Sequence, residues 1–348
     1  PHRGFFLLTL WLWLDNAFMG DWLHSKDKGL EAIFALLGRG GAFSTYDISK
    51  TTGIAYDNIP LLIEGLRELG MDIEEIGGEC YQSRDDLRPL DPSEISKRAE
   101  LNNLKISVQF QVESTNISAL SMDLDEGEYG VVAAECQSAG KGRMGRSWTS
   151  PLGGVYISLV RDFSTIAAMP TALTIWCALS IVSSLNKFGV KAQLKWPNDI
   201  LINARKAGGL LAELKGNPRG PCRIVVGIGL NTANQNLIVP KDELSNTGVS
   251  PLPVGSIRGL DRNRLVGKIA GEVHKTMYDF ALGNLANQAA EWIRYDYFFG
   301  KSVEVCTSEG RFEGECRGVD GEGRLILRTD NNQIKFASGE SRLRMQRC

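Results

Sequence analysis

The sequence predicts an α+β protein in three parts, on three observations. A short N-terminal stretch reads helix, helix, helix, hairpin. A long middle segment mixes β-rich runs with two long helices. A tail of short strands is punctuated by Gly- and Asp-rich turns. The 348 residues suffice for two or three domains, and 43% hydrophobic with 23% charged content is that of an ordinary globular chain. A formal net charge of -2 excludes a protein that is basic all over, so any phosphate or nucleic-acid contact must come from local clusters.

Residues 1–27 hold the apolar run FFLLTLWLWL at 5–14. A bilayer span needs about 20 apolar residues, and no small-x-small cleavage site follows the run. It is read as an extension of unknown role. Residues 28–88 read as a small unit. KGLEAIFALL is a helix ending at GRGG. STYDISKTTG is a second, capped by Ser44 or Thr45 and closed by Gly53. YDNIPLLIEGLRELG is a third, with Ile59, Leu62, Ile63, Leu66 and Leu69 in one stripe. MDIEEIGGECYQS is a hairpin turning at Gly77 and Gly78. That is the order of a winged helix-turn-helix.

The two prolines of 89–100 suggest a linker, and 101–296 is expected to form the catalytic body. Strands are predicted at 105–112, 129–135, 155–160, 192–196 and 223–230. A helix over 166–189, apolar nearly all round, is core rather than a membrane span. A second, amphipathic helix is expected over 262–282. Residues 297–348 read as a small β-barrel or sandwich. The seven cysteines include no CxxC pair, which points to a reducing, cytoplasmic setting without a disulfide framework. His24 and His274 lack partners at ligand spacing and read as surface or helix-face residues, and the tryptophans at 11, 13, 22, 176 and 292 read as packing residues.

The most informative stretch is SAGKGRMGRSWTSPLGG, 138–154. Gly140, Gly142 and Gly145 would let backbone amides approach an anion, and Lys141, Arg143 and Arg146 would neutralise it, as a phosphate or adenylate requires. The glycines also spell GxGxxG, but SWTSPLGG follows, which opens no helix to hold a pyrophosphate, so a dinucleotide fold is excluded. On this loop alone, a solvated basic loop without ligand is an equal alternative. LKWPNDILINARKAGGLLAEL, 194–214, adds Lys195, Asn198 and Asp199 at a strand end and Lys206 after the next strand. Together these could clamp a phosphate, a metal and an acyl oxygen. In VVGIGLNT, Gly227 and Gly229 are expected to let a ligand lie against the backbone.

ESTN (113–116), ECQSAGKGRMGRSW (135–148), KWPND (195–199), RKAGGLLAEL (205–214) and GIGLN (227–231) occur in the order and spacing of biotin protein ligases, which 101–345 resembles. Residues 28–88 more loosely resemble the winged helix of bacterial members with a repressor function. The resemblance implies a mixed-sheet catalytic domain like that of class II synthetases and biotin–lipoate ligases, followed by a small SH3-like barrel. It implies that Ser114, Thr115, Asn116, Gln137, Lys141, Gly142, Arg143 and Lys206 bind biotin. Gln137 would meet the ureido ring and Lys206 the carboxylate and acyl phosphate. Arg143, Arg146, Trp148, Asn198, Asn231 and Arg344 would bind the nucleotide, with Trp148 as a wall for the adenine. Lys206, Arg143, Asp199 and Lys195 would carry the chemistry; apart from the resemblance, Asp199 is expected to help deprotonate the incoming lysine. The implied cofactors are biotin, ATP and Mg²⁺, and the implied partner is a biotin carboxyl carrier domain of a carboxylase, with no membrane; a homodimer is left open.

Two flap positions depart from the family pattern: Lys141 stands where an arginine is common, losing bidentate geometry, and Met144 where repressor-type members often carry a cation. Residues 28–88 hold six Lys or Arg against eleven Asp or Glu, a net of -5. The third helix has Arg67 as its one base, so the fold is expected without strong operator binding. The alternatives are a lipoate ligase-like acyl-adenylate transferase, a biotin-responsive regulator without ligase activity, and a degenerate pseudoenzyme.

Overall fold

The computed structural model describes residues 27–166, 172–232, 260–285, 288–330, 332–338 and 342–345. The chain divides into two compact units, Pro1–Pro89 and Leu90–Cys348. Residues 1–26 of the expected extension lie outside the described residues.

In the first unit α1 spans 27–37 and α2 spans Thr45–Thr52. Ser44 caps α2 through a reciprocal box with Asp47, and Gly53 closes it at φ 75. A 3₁₀ turn, Tyr56–Asn58, precedes α3, Ile59–Glu68, which Pro60 opens rather than breaks. The hairpin β2 (Ile73–Ile76) and β3 (Cys80–Ser83) turns at the expected glycines. The sequence reading missed β1, Ala42–Ser44, which pairs with β3 to give the order β1-β3-β2. Three residues are too few to show alternation.

The second unit is built on a seven-stranded mixed sheet: β4 (Leu104–Val112), β5 (Tyr129–Gln137), β6 (Val155–Phe163), β7 (Ala192–Lys195), β8 (Asp199–Ile202), β9 (Arg205–Gly216) and β10 (Cys222–Leu230). Their spatial order is β4-β5-β6-β10-β9-β8-β7, parallel only between β4 and β5. β9, the longest at 12 residues, was not predicted, because its glycines and charges mask its alternation. α6, Leu173–Lys187, is shorter than the helix expected over 166–189, part of which lies outside the described residues; it is buried on nearly every side. α7, Arg262–Ala281, matches its prediction within a residue. α6 and α7 pack together against one face of the sheet, in a core with Ile224, Val226 and Ile228 of β10. The other face carries the short helix α5, Thr115–Leu120.

Residues 89–100, expected as a linker, carry α4, Pro92–Ala99, capped by Asp91. Ile95 and Ala99 are buried against α7, because the single apolar face of α4 finds a partner there. α8, Gln288–Tyr295, leads into an antiparallel sheet of β11 (Ser302–Thr307), β12 (Gly310–Val319), β13 (Leu325–Arg328), β14 (Gln333–Phe336) and β15 (Arg342–Met345), ordered β14-β13-β12-β11-β15. Val303, Val305, Leu325 and Leu327 join the same hydrophobic core as the larger sheet, and the Trp196 indole N–H donates to the Gly323 carbonyl at 3.1 Å.

Candidate active site

The expected strand-end lysines meet on the face that carries α5. Lys195 and Asp199 are direct partners across the β7–β8 ladder, so their side chains share a face. Lys206 gets there by an irregularity. The β8–β9 register pairs Ile200 with Gly208 but Leu201 with Lys206, leaving Ala207 over. Without that bulge Lys206 would oppose Ile202, whose side chain lies in the core; the slip of one residue turns it to the side of Asp199.

The result is a compact ionic floor. Lys206 Nζ lies 2.8 Å from Asp199 Oδ1, and Lys195 Nζ 3.8 Å from Asp199 Oδ2. Burial alone would raise the Asp199 carboxyl, but the Lys206 and Lys195 ammonium groups override it and hold it below the usual carboxylate value. A carboxyl held low is a weak proton acceptor. Asp199 is therefore better suited to anchoring the two lysines than to the expected base role. Asn198 is held in the turn by its own Nδ2, which donates to the Leu210 carbonyl at 2.7 Å.

Above the floor lies the flap. Residues 143–145 form a single 3₁₀ turn and no helix follows, in line with the rejected dinucleotide reading. Met144 sits exposed at the tip with φ 58, and Gly145 follows with φ 72. Arg146 does not reach out: its Nε donates to the Arg143 carbonyl at 3.2 Å. Arg143 donates from Nη1 to Asn198 Oδ1 at 3.3 Å and from Nη2 to the Ser338 carbonyl of the C-terminal sheet. Lys206 Nζ lies 5.2 Å from the centre of the Trp148 ring, a cation–π contact that ties floor to flap.

Gly227 and Gly229, expected to admit a ligand to the backbone, instead admit side chains of the protein. A Cβ at Gly227 would stand 2.1 Å from Asn116 Oδ1, and one at Gly229 2.5 Å from Trp148 Nε1. Two apart on β10, they form one glycine lane that seats Asn116 and Trp148 side by side on the sheet.

A polar chain runs beneath the flap. Gln137 Oε1 accepts from the Thr115 backbone N–H at 2.9 Å, and Gln137 Nε2 donates to Ser150 Oγ at 2.7 Å. Ser158 Oγ lies 2.8 Å from Thr115 Oγ1 and 2.6 Å from Asn116 Oδ1, while Asn116 Nδ2 donates to Glu213 Oε2 at 2.5 Å. Ser114, Thr115 and Asn116 are all buried, and Ser114 makes no cap bond to α5. Ser158 and Glu213 were missed. The one signal for Ser158 was a lone hydroxyl inside the apolar run VYISLV.

The remaining expected residues are less integrated. Asn231 follows β10, donates its backbone N–H to the Ala207 carbonyl at 2.9 Å and keeps a buried, unpartnered Oδ1. Lys141 is exposed, and Gly142 donates its N–H to the Arg146 carbonyl at 2.7 Å. Arg344, on β15, pairs through its backbone with Glu304 of β11, and its side chain lies outside the described residues. Among the described residues no helix is long and apolar enough to cross a membrane.

Residues 108–231 match the biotin/lipoate A/B protein ligase family, and residues 298–340 match the biotin protein ligase C-terminal domain. The class is thus that of biotin and lipoate ligases. A biotin–[acetyl-CoA-carboxylase] ligase of Paracoccus denitrificans is 30% identical over 226 residues, covering 63% of this chain and 92% of that protein. The chain belongs to the biotin protein ligase family. It is also 29% identical over 316 residues to the bifunctional ligase/repressor BirA of Escherichia coli, covering 90% of this chain and 96% of that one. The biotin protein ligase of Aquifex aeolicus, solved with biotin and ATP, shares the fold at a TM-score of 0.58 and 23% identity, over 70% of this chain and 99% of that one.

Proposed function

We propose that the protein activates biotin with ATP and transfers it to one lysine of a biotin carboxyl carrier domain. The observation that carries this reading is the floor of Lys195, Asp199 and Lys206 beneath a flap whose Arg143 already reaches it through Asn198. In the first half-reaction a biotin carboxylate oxygen attacks the α-phosphorus of ATP, forming the acyl phosphate bond as pyrophosphate leaves. Lys206 faces the carboxylate and acyl phosphate, and Arg143, Arg146 and Lys195 offset the charge that builds on the α-phosphate. Trp148 offers a wall to the adenine, with Asn198, Asn231 and Arg344 toward the nucleotide. Ser114, Thr115, Gln137, Lys141 and Gly142 surround the biotin ring, and Asn116 acts from behind them.

In the second half-reaction the acceptor amine attacks the acyl carbon. The C–N bond forms, AMP leaves, and the amine proton passes to solvent. The flap shields the mixed anhydride from water until then. Asp199, the carboxylate of the floor, is engaged by two lysines. These residues do not fit a resident magnesium, which enters with the substrate as MgATP.

The first unit has the element order of a winged helix. Its α3 offers no cation to DNA: Arg67 is bound to Glu64 and donates to the Ile73 carbonyl at 3.0 and 3.2 Å. We therefore read it as a winged-helix domain without strong operator affinity. The test of the catalytic reading is incubation with biotin, MgATP and a carrier domain, followed by mass measurement of the acceptor. One added biotinyl group is expected, and none when lipoate replaces biotin; transfer of lipoate instead would favour the lipoate ligase alternative.

A further inference from the structure

The buried polar chain under the flap has a direction that can be worked out link by link. Asn116 is 4% exposed, and one end of its amide faces two groups that only accept, Glu213 Oε2 at 2.5 Å and the Leu211 carbonyl at 3.4 Å. That end must be the NH₂, so the amide oxygen faces Ser158. Ser158, fully buried, has one proton and directs it to Asn116 Oδ1 at 2.6 Å, because two oxygens at that distance with no hydrogen between them repel. Toward Thr115 Oγ1, 2.8 Å away, Ser158 is left to accept. The Thr115 proton then has two destinations, Ser158 Oγ at 2.8 Å and Gln137 Oε1 at 3.2 Å, and both lie inside the protein. Outward, the Thr115 hydroxyl offers only lone pairs.

We propose that Glu213 is a positioning residue that sets this direction through Asn116 and Ser158, so that Thr115 accepts a hydrogen bond from a ring N–H of the ligand. The inference rests on the biotin reading and deepens it. The site selects a cyclic urea over an isosteric ring that carries oxygen where the nitrogen stands, since lone pairs would then face lone pairs.

The test uses the full chain with biotin and two cyclic carbamates, each with one ureido N–H replaced by oxygen. Calorimetric binding and ATP–pyrophosphate exchange give Kd, KM and kcat for each ligand. In the wild type one of the two carbamates is rejected by about 100-fold or more relative to biotin. Glu213→Gln keeps the shape but can accept from or donate to Asn116, so both directions open and the discrimination falls below about tenfold, in KM more than in kcat. Ser158→Ala cuts the chain and gives the same collapse, so either variant serves if the other fails to fold. A merely structural role would weaken all three ligands alike and leave their ratio unchanged. Unchanged ratios in both variants, or a wild type that takes both carbamates as well as biotin, overturn the polarity claim and leave the biotin reading standing. A wild type that does not bind biotin overturns both.

Discussion

The floor and the flap hold their cations in opposite ways. On the floor, Lys206 and Lys195 are fixed by Asp199 at the ends of paired strands, and the register of the sheet determines where they point. In the flap, Arg143 and Arg146 bond to backbone carbonyls and to Asn198, while Lys141 and Met144 stand in solvent. The floor cations are held by contacts within the sheet itself, whereas the flap cations hold contacts that a phosphate would have to replace. Preorganised charge lowers a barrier more than charge that must first be gathered, so floor substitutions should act on kcat and flap substitutions on ligand retention.

The sharpest break in that contrast is Lys206→Ala, which removes the floor cation nearest the expected carboxylate. A loss of about 100- to 1000-fold in kcat/KM is expected, the scale of losing one preorganised charge contact. Arg143→Lys should leave kcat within a few-fold but speed loss of the adenylate, because a single ammonium cannot bridge two partners as the guanidinium does; adenylate dissociation is read in a filter-binding chase. Equal losses in kcat for the two variants would erase the distinction.

Asp199→Asn should cost about 10- to 100-fold in kcat/KM, since two lysines lose a charged partner. Its pH dependence follows from the depressed carboxyl. A carboxylate held below its ordinary value contributes above that value and is lost as pH falls through the folded one. The stability gap between wild type and D199N should therefore hold steady at neutral pH and close only below about pH 4 in thermal melts.

The glycine lane gives a smaller effect. Gly229→Ala would press its Cβ into the Trp148 indole and should destabilise by about 1–3 kcal/mol while raising the KM for ATP more than that for biotin. Gly227→Ala should show the reverse preference, because its neighbour is Asn116. On α7, away from floor and flap, His274 is fully buried, its Nε2 3.1 Å from the Gly130 carbonyl and its pKa pushed down by burial to about 3. The unfolded chain takes up a proton that the folded one refuses. Below about pH 6.5 the wild type should lose stability by up to about 1.4 kcal/mol per pH unit more than His274→Gln. Parallel pH–stability curves would refute the assignment.

Legibility in the sequence divides along the same line. The flap could be read residue by residue, because a loop of glycines and cations announces its chemistry locally. The identity of the floor residues was readable too, but not how they meet: the bulge at Ala207 that turns Lys206 out of the core leaves no local mark. The roles of Gly227 and Gly229 were misjudged for a related reason. A glycine signals that something comes close, and only the packed chain tells whether it is a ligand or the protein's own Asn116 and Trp148. Ser158 and Glu213 stayed hidden because hydrogen-bond partners 42 and 97 residues away in the chain carry no spacing signal.

The most direct measurement is native mass spectrometry of the protein after incubation with biotin and MgATP without any acceptor. Floor and flap acting together should retain one equivalent of biotinyl-5′-AMP on the wild type, a shorter-lived complex on Arg143→Lys and none on Lys206→Ala. A wild type that releases pyrophosphate yet retains no adenylate, or a Lys206→Ala protein that retains it as well as the wild type, would contradict the joint trap.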